Sequence, residues 1–187
     1  MADAEHIGRH QFASSERLFF DTNIWLLLFD CRSNRDISIN ADAKKIYSGA
    51  FKRALKAESQ LFTHPFVISE FVNRLLRDEH NFLRNLNEAH NDFKTWRGTD
   101  GFRTYAAVVA TRTRDILKCC RLIENNFDEP ALLSRLTYFE EDARDLNDEF
   151  LIEICERNNL TLVTHDGDFA HAELKILTTN TNYFNRS

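Results

Sequence analysis

Apolar positions along this chain recur in two rhythms. Leu18-Phe19-Phe20, Leu61-Phe62-Thr63, Leu160 to Thr164 and Leu174 to Leu177 are short contiguous runs, which predict strands covered on both faces. Between them the spacing becomes i, i+3, i+4, i+7. Ala43, Ile46, Tyr47, Ala50, Phe51, Ala54 and Leu55 share one helical face. Ile68, Phe71, Val72, Leu75 and Leu76 form the stripe of a helix opened by Pro65, with helical character continuing through Phe82, Leu83 and Leu86. The break Arg97-Gly98-Thr99-Asp100-Gly101 opens another helix to about Ile123, and residues 131–136 make a short one. From Asp142 a further helix turns Leu146, Phe150, Ile154 and Cys155 inward and ends near Asn158-Asn159.

Polar punctuation fits this division. Asp21-Thr22-Asn23 supplies capping residues ahead of Ile24-Trp25-Leu26-Leu27. Residues 32–40 and 125–130 predict loops, and Asp166-Gly167-Asp168 a turn. Residues 1–16 are polar and unpatterned, which predicts a flexible N-terminal tail before a single domain over 17–187. Short apolar strands alternating with long helices imply an α/β layer fold with a parallel sheet.

Composition narrows the class. Five Gly and two Pro in 187 residues are about a third of the usual complement, which favours long helices over a many-turned sandwich. Hydrophobic residues at 43% and charged residues at 28% describe a globular chain, with sixteen Phe for the core. A net charge of −5 argues against a general nucleic-acid coat, although it leaves room for a local basic face. Cys31, Cys119, Cys120 and Cys155 form no C-x-x-C, so buried reduced thiols of a cytoplasmic protein are expected rather than a zinc cage or disulfide framework. The opening Met-Ala-Asp-Ala-Glu-His lacks a signal peptide's basic start and apolar run. The longest apolar run, Ile24 to Phe29, is too short for a membrane span.

Candidate chemistry collects where strands hand over to helices. In an open α/β sheet, sites form at the carboxyl ends of the strands. Asp21 follows the first predicted strand, and Glu70 lies in the opening turns of the helix after the second. Asp148 lies early in the helix feeding the Leu160 strand, and Asp166 lies two residues beyond that strand. For any one of these acids, capping or a solvated helix start is explanation enough. Four converging from separate segments repel one another, and a divalent cation relieves that cost. All-oxygen ligation suits Mg²⁺ or Mn²⁺, which activate water and stabilise charge in phosphodiester cleavage.

The motifs also carry a family resemblance. Phe19-Phe20-Asp21-Thr22-Asn23 resembles the opening motif of PIN-domain nucleases, and Ile68-Ser69-Glu70-Phe71 is similar to their second acidic motif. Asp148 with Leu151-Ile152, then Leu162-Val163-Thr164-His165-Asp166-Gly167-Asp168-Phe169, resembles the last two, across about residues 18–178. The resemblance implies a three-layer α/β/α fold with a short central parallel sheet, and a metal-dependent endoribonuclease. It makes Asp21, Glu70, Asp148 and Asp166 ligands of Mg²⁺ or Mn²⁺, with Asp168 a supporting acid. Thr22, Asn23 and Thr164 would orient ligands or phosphate. Many small prokaryotic relatives are toxins paired with an antitoxin, and relatives that dimerise make a homodimer an expectation. This chain is longer than those toxins, with extra helical material between Asp21 and Glu70 and a helical insertion over about 82–136.

Several positions carry open alternatives. Asp145 competes with Asp148, being one helical turn earlier; the sixteen-residue step from Asp148 to Thr164 favours Asp148. Asp142 reads as an N-terminal helix charge. Arg112, Arg114 and Lys118 form either a basic strip for RNA phosphates or a solvated helix face, and Arg74 and Arg77 either face the groove or do not. His165 reads first as a loop histidine and second as a phosphate contact. His165 and His171 lack the further ligands that zinc needs. Trp25 and Trp96 are expected as core or interface anchors. The competing function is a PIN-like scaffold that binds RNA or protein without turnover, and a DNA nuclease would use the same acids.

Overall fold

A computed structural model describes residues 2–31, 41–87, 92–124, 129–142 and 144–185. The loop expected over 32–40, and residues 125–128 of the second expected loop, lie outside the described residues. Six strands form one parallel sheet: β1 (Asp3–His6), β2 (Arg17–Phe20), β3 (Gln60–Thr63), β4 (Arg121–Leu122), β5 (Thr161–Val163) and β6 (Lys175–Thr178). Their order across the sheet is β1-β6-β5-β2-β3-β4, with every pair parallel. The connections are α1 (Thr22–Leu28), α2 (Ala41–Lys56), α3 (Pro65–Asn85), α4 (Phe93–Trp96), α5 (Asp100–Cys119), α6 (Glu129–Asp142) and α7 (Leu146–Asn158). This is an α/β layer arrangement with a parallel sheet, as the short apolar runs and intervening helical stripes predict.

The core explains the order. Leu18, Phe19 and Phe20 are all buried, as are Leu162, Val163, Ile176 and Leu177, so successive residues that point to opposite faces are covered on both. Trp25 stacks on Phe20 at 5.0 Å, and Phe51 meets both rings edge-on. Trp25 is therefore a core anchor, and buried Trp96 packs among His80, Phe93 and Phe102. All four cysteines are free, but only Cys155 is buried and the other three are half-buried.

Two strands were not legible in the apolar pattern. The segment expected as a flexible tail instead supplies the edge strand β1, registered from Asp3 on Lys175 to His6 on Thr178. Its sequence Asp-Ala-Glu-His has no apolar run, because an edge strand is kept polar to discourage pairing with other chains. The helix expected to reach Ile123 ends at Cys119, and Arg121–Leu122 pairs with β3 as the opposite edge. There Ile123 donates its backbone N–H to the Thr63 carbonyl at 2.9 Å, a bond to another segment that helix periodicity does not register. The short helix expected over 131–136 extends to Asp142, which closes α6 rather than opening α7. Arg135 ties this helix to α7, being bound to Glu149, Glu153 and Glu156.

The N-terminal segment contributes to stability through Ile7, which is fully buried and donates its N–H to Thr178 at 3.0 Å. Replacing Ile7 by Ala should cost about 2–4 kcal/mol in urea unfolding, as for other buried aliphatics. A cost below about 1 kcal/mol would show that this segment lies outside the cooperative core.

Candidate active site

The strand order reverses between β2 and β5. From β2 the chain crosses to β3 on one side, whereas β5 lies on the other and leads to β6. Such a switch point opens a crevice at the carboxyl ends of the two strands. Register there runs Leu18 on Thr161, Phe19 on Leu162 and Phe20 on Val163, which brings Asp21 beside Thr164.

Asp21 occupies the N-cap position of α1, yet its carboxylate makes no capping hydrogen bond. Its Oδ2 instead accepts from Thr164 Oγ1 at 2.7 Å and from Asn23 Nδ2 at 2.5 Å. Asn23 Nδ2 also reaches Thr164 Oγ1 at 3.1 Å, and its Oδ1 accepts from the His165 N–H. The Asp166 N–H donates to Thr164 Oγ1 at 3.0 Å, and Asp166 Oδ1 accepts from the Asp168 N–H at 3.1 Å. From the neighbouring helix, Thr22 donates its hydroxyl to Glu70 Oε2 at 2.8 Å. Asp21, Thr22, Asn23, Glu70, Thr164, Asp166 and Asp168 thus form two hydrogen-bonded groups joined through the start of α1.

Asp148 enters through charge. Burial pushes its carboxyl up to about 8, with Asp21, Asp145, Asp166 and Asp168 adding repulsion. Burial likewise raises Asp21 to about 7, opposed by the Thr164 hydrogen bond and reinforced by Glu70 and Asp166. Asp145 has a different use: its side chain caps α7 by accepting from the Asn147 N–H at 2.8 Å. No positively charged side chain forms an ion pair with Asp21, Glu70, Asp148 or Asp166 among the described residues.

The oxygen-rich donor set fits a hard divalent cation. Both side-chain hydrogen bonds to Asp21 fall on Oδ2, the one to Glu70 falls on Oε2, and the one to Asp166 falls on Oδ1, so each has a second oxygen available. Among the described residues no three His, Cys, Asp or Glu side chains are arranged so that together they could hold a metal ion. Mg²⁺ characteristically takes one or two carboxylates and keeps several waters, so an open set of this kind suits it.

The expected basic residues separate into two groups. Arg74 and Arg77 line a cleft of about 310 Å³ together with Glu70. Arg112 and Lys118 instead pair with Asp115 on exposed α5, and Arg114 lines a different, apolar cleft between α3 and α5. Tyr47 was legible only as part of an apolar stripe. Its hydroxyl donates to the Thr164 carbonyl at 2.9 Å and lies 3.2 Å from His165 Nδ1, bracing the acidic loop from behind. Asn180 and Tyr183 hold the same loop through the carbonyls of His165 and Asp166. A tyrosine within an apolar stripe is the one sequence signal for this brace, since a buried hydroxyl needs a partner.

The PIN domain family model matches residues 18–175. A solved structure, that of PAE2754 from Pyrobaculum aerophilum, is similar at 14% identity, covering 96% of this chain and 94% of that one, with a TM-score of 0.48. No curated protein matches significantly.

The raised carboxyl of Asp21 has a measurable consequence. Between about pH 4 and pH 7 the folded state holds a proton that the unfolded chain has released, so this group makes stability fall as pH rises. Asn at position 21 has no proton to lose. In EDTA, Asp21→Asn should therefore gain on wild type by about 1–2 kcal/mol between pH 5 and pH 8, read from paired urea titrations. An unchanged or falling difference would contradict the raised value.

Proposed function

This chain belongs to the PIN-domain family, and from that premise we propose that it is a metal-dependent endoribonuclease. PIN domains are generally metal-dependent nucleases; the choice of RNA, of internal cleavage and of Mg²⁺ or Mn²⁺ is our reading. The observation that carries it is the gathering of Asp21, Glu70, Asp148, Asp166 and Asp168 at one switch point, with no ion-pairing cation from the protein among the described residues. Burial is the main reason that Asp21 and Asp148 resist ionisation there, and the neighbouring acids add to it.

In this proposal Asp21, Glu70, Asp148 and Asp166 hold the ion, and Asp168 supports it from the same loop. Thr22 fixes the orientation of Glu70, while Thr164 and Asn23 fix that of Asp21. Such outer contacts set how carboxylates present their remaining oxygens. The bound cation supplies Lewis acidity toward the phosphate and a more acidic water. With their charge balanced, the acids admit a phosphodiester that they would otherwise repel. No helix among the described residues is long and apolar enough to cross a membrane, and we place the activity in the cytoplasm.

The test is cleavage of mixed cellular RNA in Mn²⁺, in Mg²⁺ and in EDTA. Fragments should appear with either metal and vanish in EDTA, and Asp21→Asn and Asp148→Asn should each slow cleavage by roughly 100-fold or more while keeping a cooperative melt. Undiminished cleavage in either variant would remove the proposed site. RNA binding without fragments under any condition would favour a scaffold.

A further inference from the structure

After β6 the chain turns onto the acidic loop. Thr178, the last residue of β6, is fully buried, and its Oγ1 accepts from the Asn180 N–H at 3.0 Å. Asn180 Oδ1 in turn accepts from the Asn182 N–H at 3.0 Å and caps a short 3₁₀ turn, Thr181–Tyr183. Side chains that bond the backbone two residues on set such a turn locally. These residues lie beyond the matched stretch 18–175.

The turn meets the loop at three consecutive residues. Asn180 Nδ2 donates to the His165 carbonyl at 2.9 Å, and the Tyr183 hydroxyl donates to the Asp166 carbonyl at 2.6 Å. A Cβ at Gly167 would stand 3.5 Å from Asn180 Nδ2 and 3.7 Å from Asn182 Nδ2, so the two segments pack closely there. Thr179 adds its Oγ1, 3.1 Å from His165 Nδ1, and donates its N–H to the Tyr47 hydroxyl at 3.0 Å.

Asp166 is thereby held on both sides of its Cα. Its N–H donates to Thr164 Oγ1 at the end of β5, and its carbonyl accepts from Tyr183. With both peptide groups fixed, only side-chain torsions remain to aim the carboxylate, and the Asp168 N–H on Oδ1 restrains those. Tyr183 and Asn180 bond carbonyls rather than carboxylates, so they restrain the loop without occupying the oxygens that a cation needs.

We infer that Tyr183 and Asn180 are positioning residues for Asp166, and that docking of Thr179–Tyr183 on the acidic loop is coupled to cation binding at the acids. The inference rests on the metal reading of the site and concerns side chains that would not touch the ion. Without a cation, Asp21, Asp148 and Asp166 repel one another, which opposes the loop position that the turn holds. A cation removes that opposition and so favours the docked turn. By reciprocity the docked turn favours the cation to the same extent.

Hydrogen exchange and Mn²⁺ affinity test the two halves. The N–H groups of residues 182–185 all bond within the turn. In wild type, saturating Mn²⁺ should slow their exchange at least about threefold relative to EDTA, and in Asp21→Asn it should not. Tyr183→Phe keeps the ring and removes only the hydroxyl. It should weaken Mn²⁺ binding about tenfold, read from the paramagnetic resonance of the free ion, as loss of an outer contact to a ligand does. Asn180→Ala should weaken it by a similar factor. In EDTA each variant should melt no more than about 4 °C below wild type, the scale of one hydrogen bond. Affinity within twofold of wild type in both variants would overturn the positioning, as would a melt lowered by about 10 °C or more, which marks a structural contact. Exchange indifferent to Mn²⁺ in a wild type that binds the ion would overturn the coupling and leave the metal reading standing. Failure of wild type to bind Mn²⁺ would remove that reading and the inference with it.

Discussion

A hydroxyl on one strand holds a buried carboxylate on the next: Thr164 Oγ1 donates to Asp21 Oδ2 at 2.7 Å where β2 and β5 end side by side. The bond forms because the register of two parallel strands brings those residues level. It also sits where the strand order reverses, so there is space above it for a ligand. Asn23 bridges the pair, the Asp166 N–H docks on the same hydroxyl, and Tyr47 fixes the Thr164 carbonyl. The acidic loop is thereby referenced to the central strand, and α1 leaves that strand carrying Thr22 to Glu70. Loss of the hydroxyl would leave a buried carboxylate with less support, which low-dielectric surroundings make costly.

Charge is handled in two opposite ways by adjacent residues of α7. Glu149 is fully buried and meets Arg135 at 3.0 Å, Arg144 at 3.3 Å and His171 at 3.0 Å. Through these contacts it ties α6, α7 and the turn over Asp168–His171 together, a job that requires its partners because an unpaired buried charge is strongly destabilising. Asp148, one residue earlier, is instead acted on by the charges of Asp21, Asp145, Asp166 and Asp168. Basic side chains therefore lie close by and are engaged on the other face of the helix. The deficit at Asp148 belongs to the arrangement of the site, and the fold tolerates it while Glu149 and its partners secure the surroundings.

Local features were legible wherever the physics is local. The i, i+3, i+4, i+7 stripes of α2 and α3 report burial on one helix face, and the apolar runs of β2, β5 and β6 report cover on two faces. Asp21 and Asp166 could be placed because a strand end and the following turn are adjacent in sequence. The edge strands β1 and β4 escaped notice because their structure depends on pairing with β6 and β3, and an edge that must resist aggregation carries no apolar pattern. Asp145 and Asp148 remained rivals by sequence, since both fall on one helical face. In the folded chain the first caps α7 while the second meets the other acids.

The chain's own order of residues determined which segments become strands and helices, and that acids stand at their junctions, because periodicity and capping act over a few neighbouring residues. Only the tertiary structure decided that β2 lies against β5, that Tyr47 braces Thr164 across 117 positions of sequence, and that Phe66, Arg74 and Asn147 share one cleft. Those are long-range pairings, selected by the burial and hydrogen bonding of the whole sheet, and no local window of residues contains both partners.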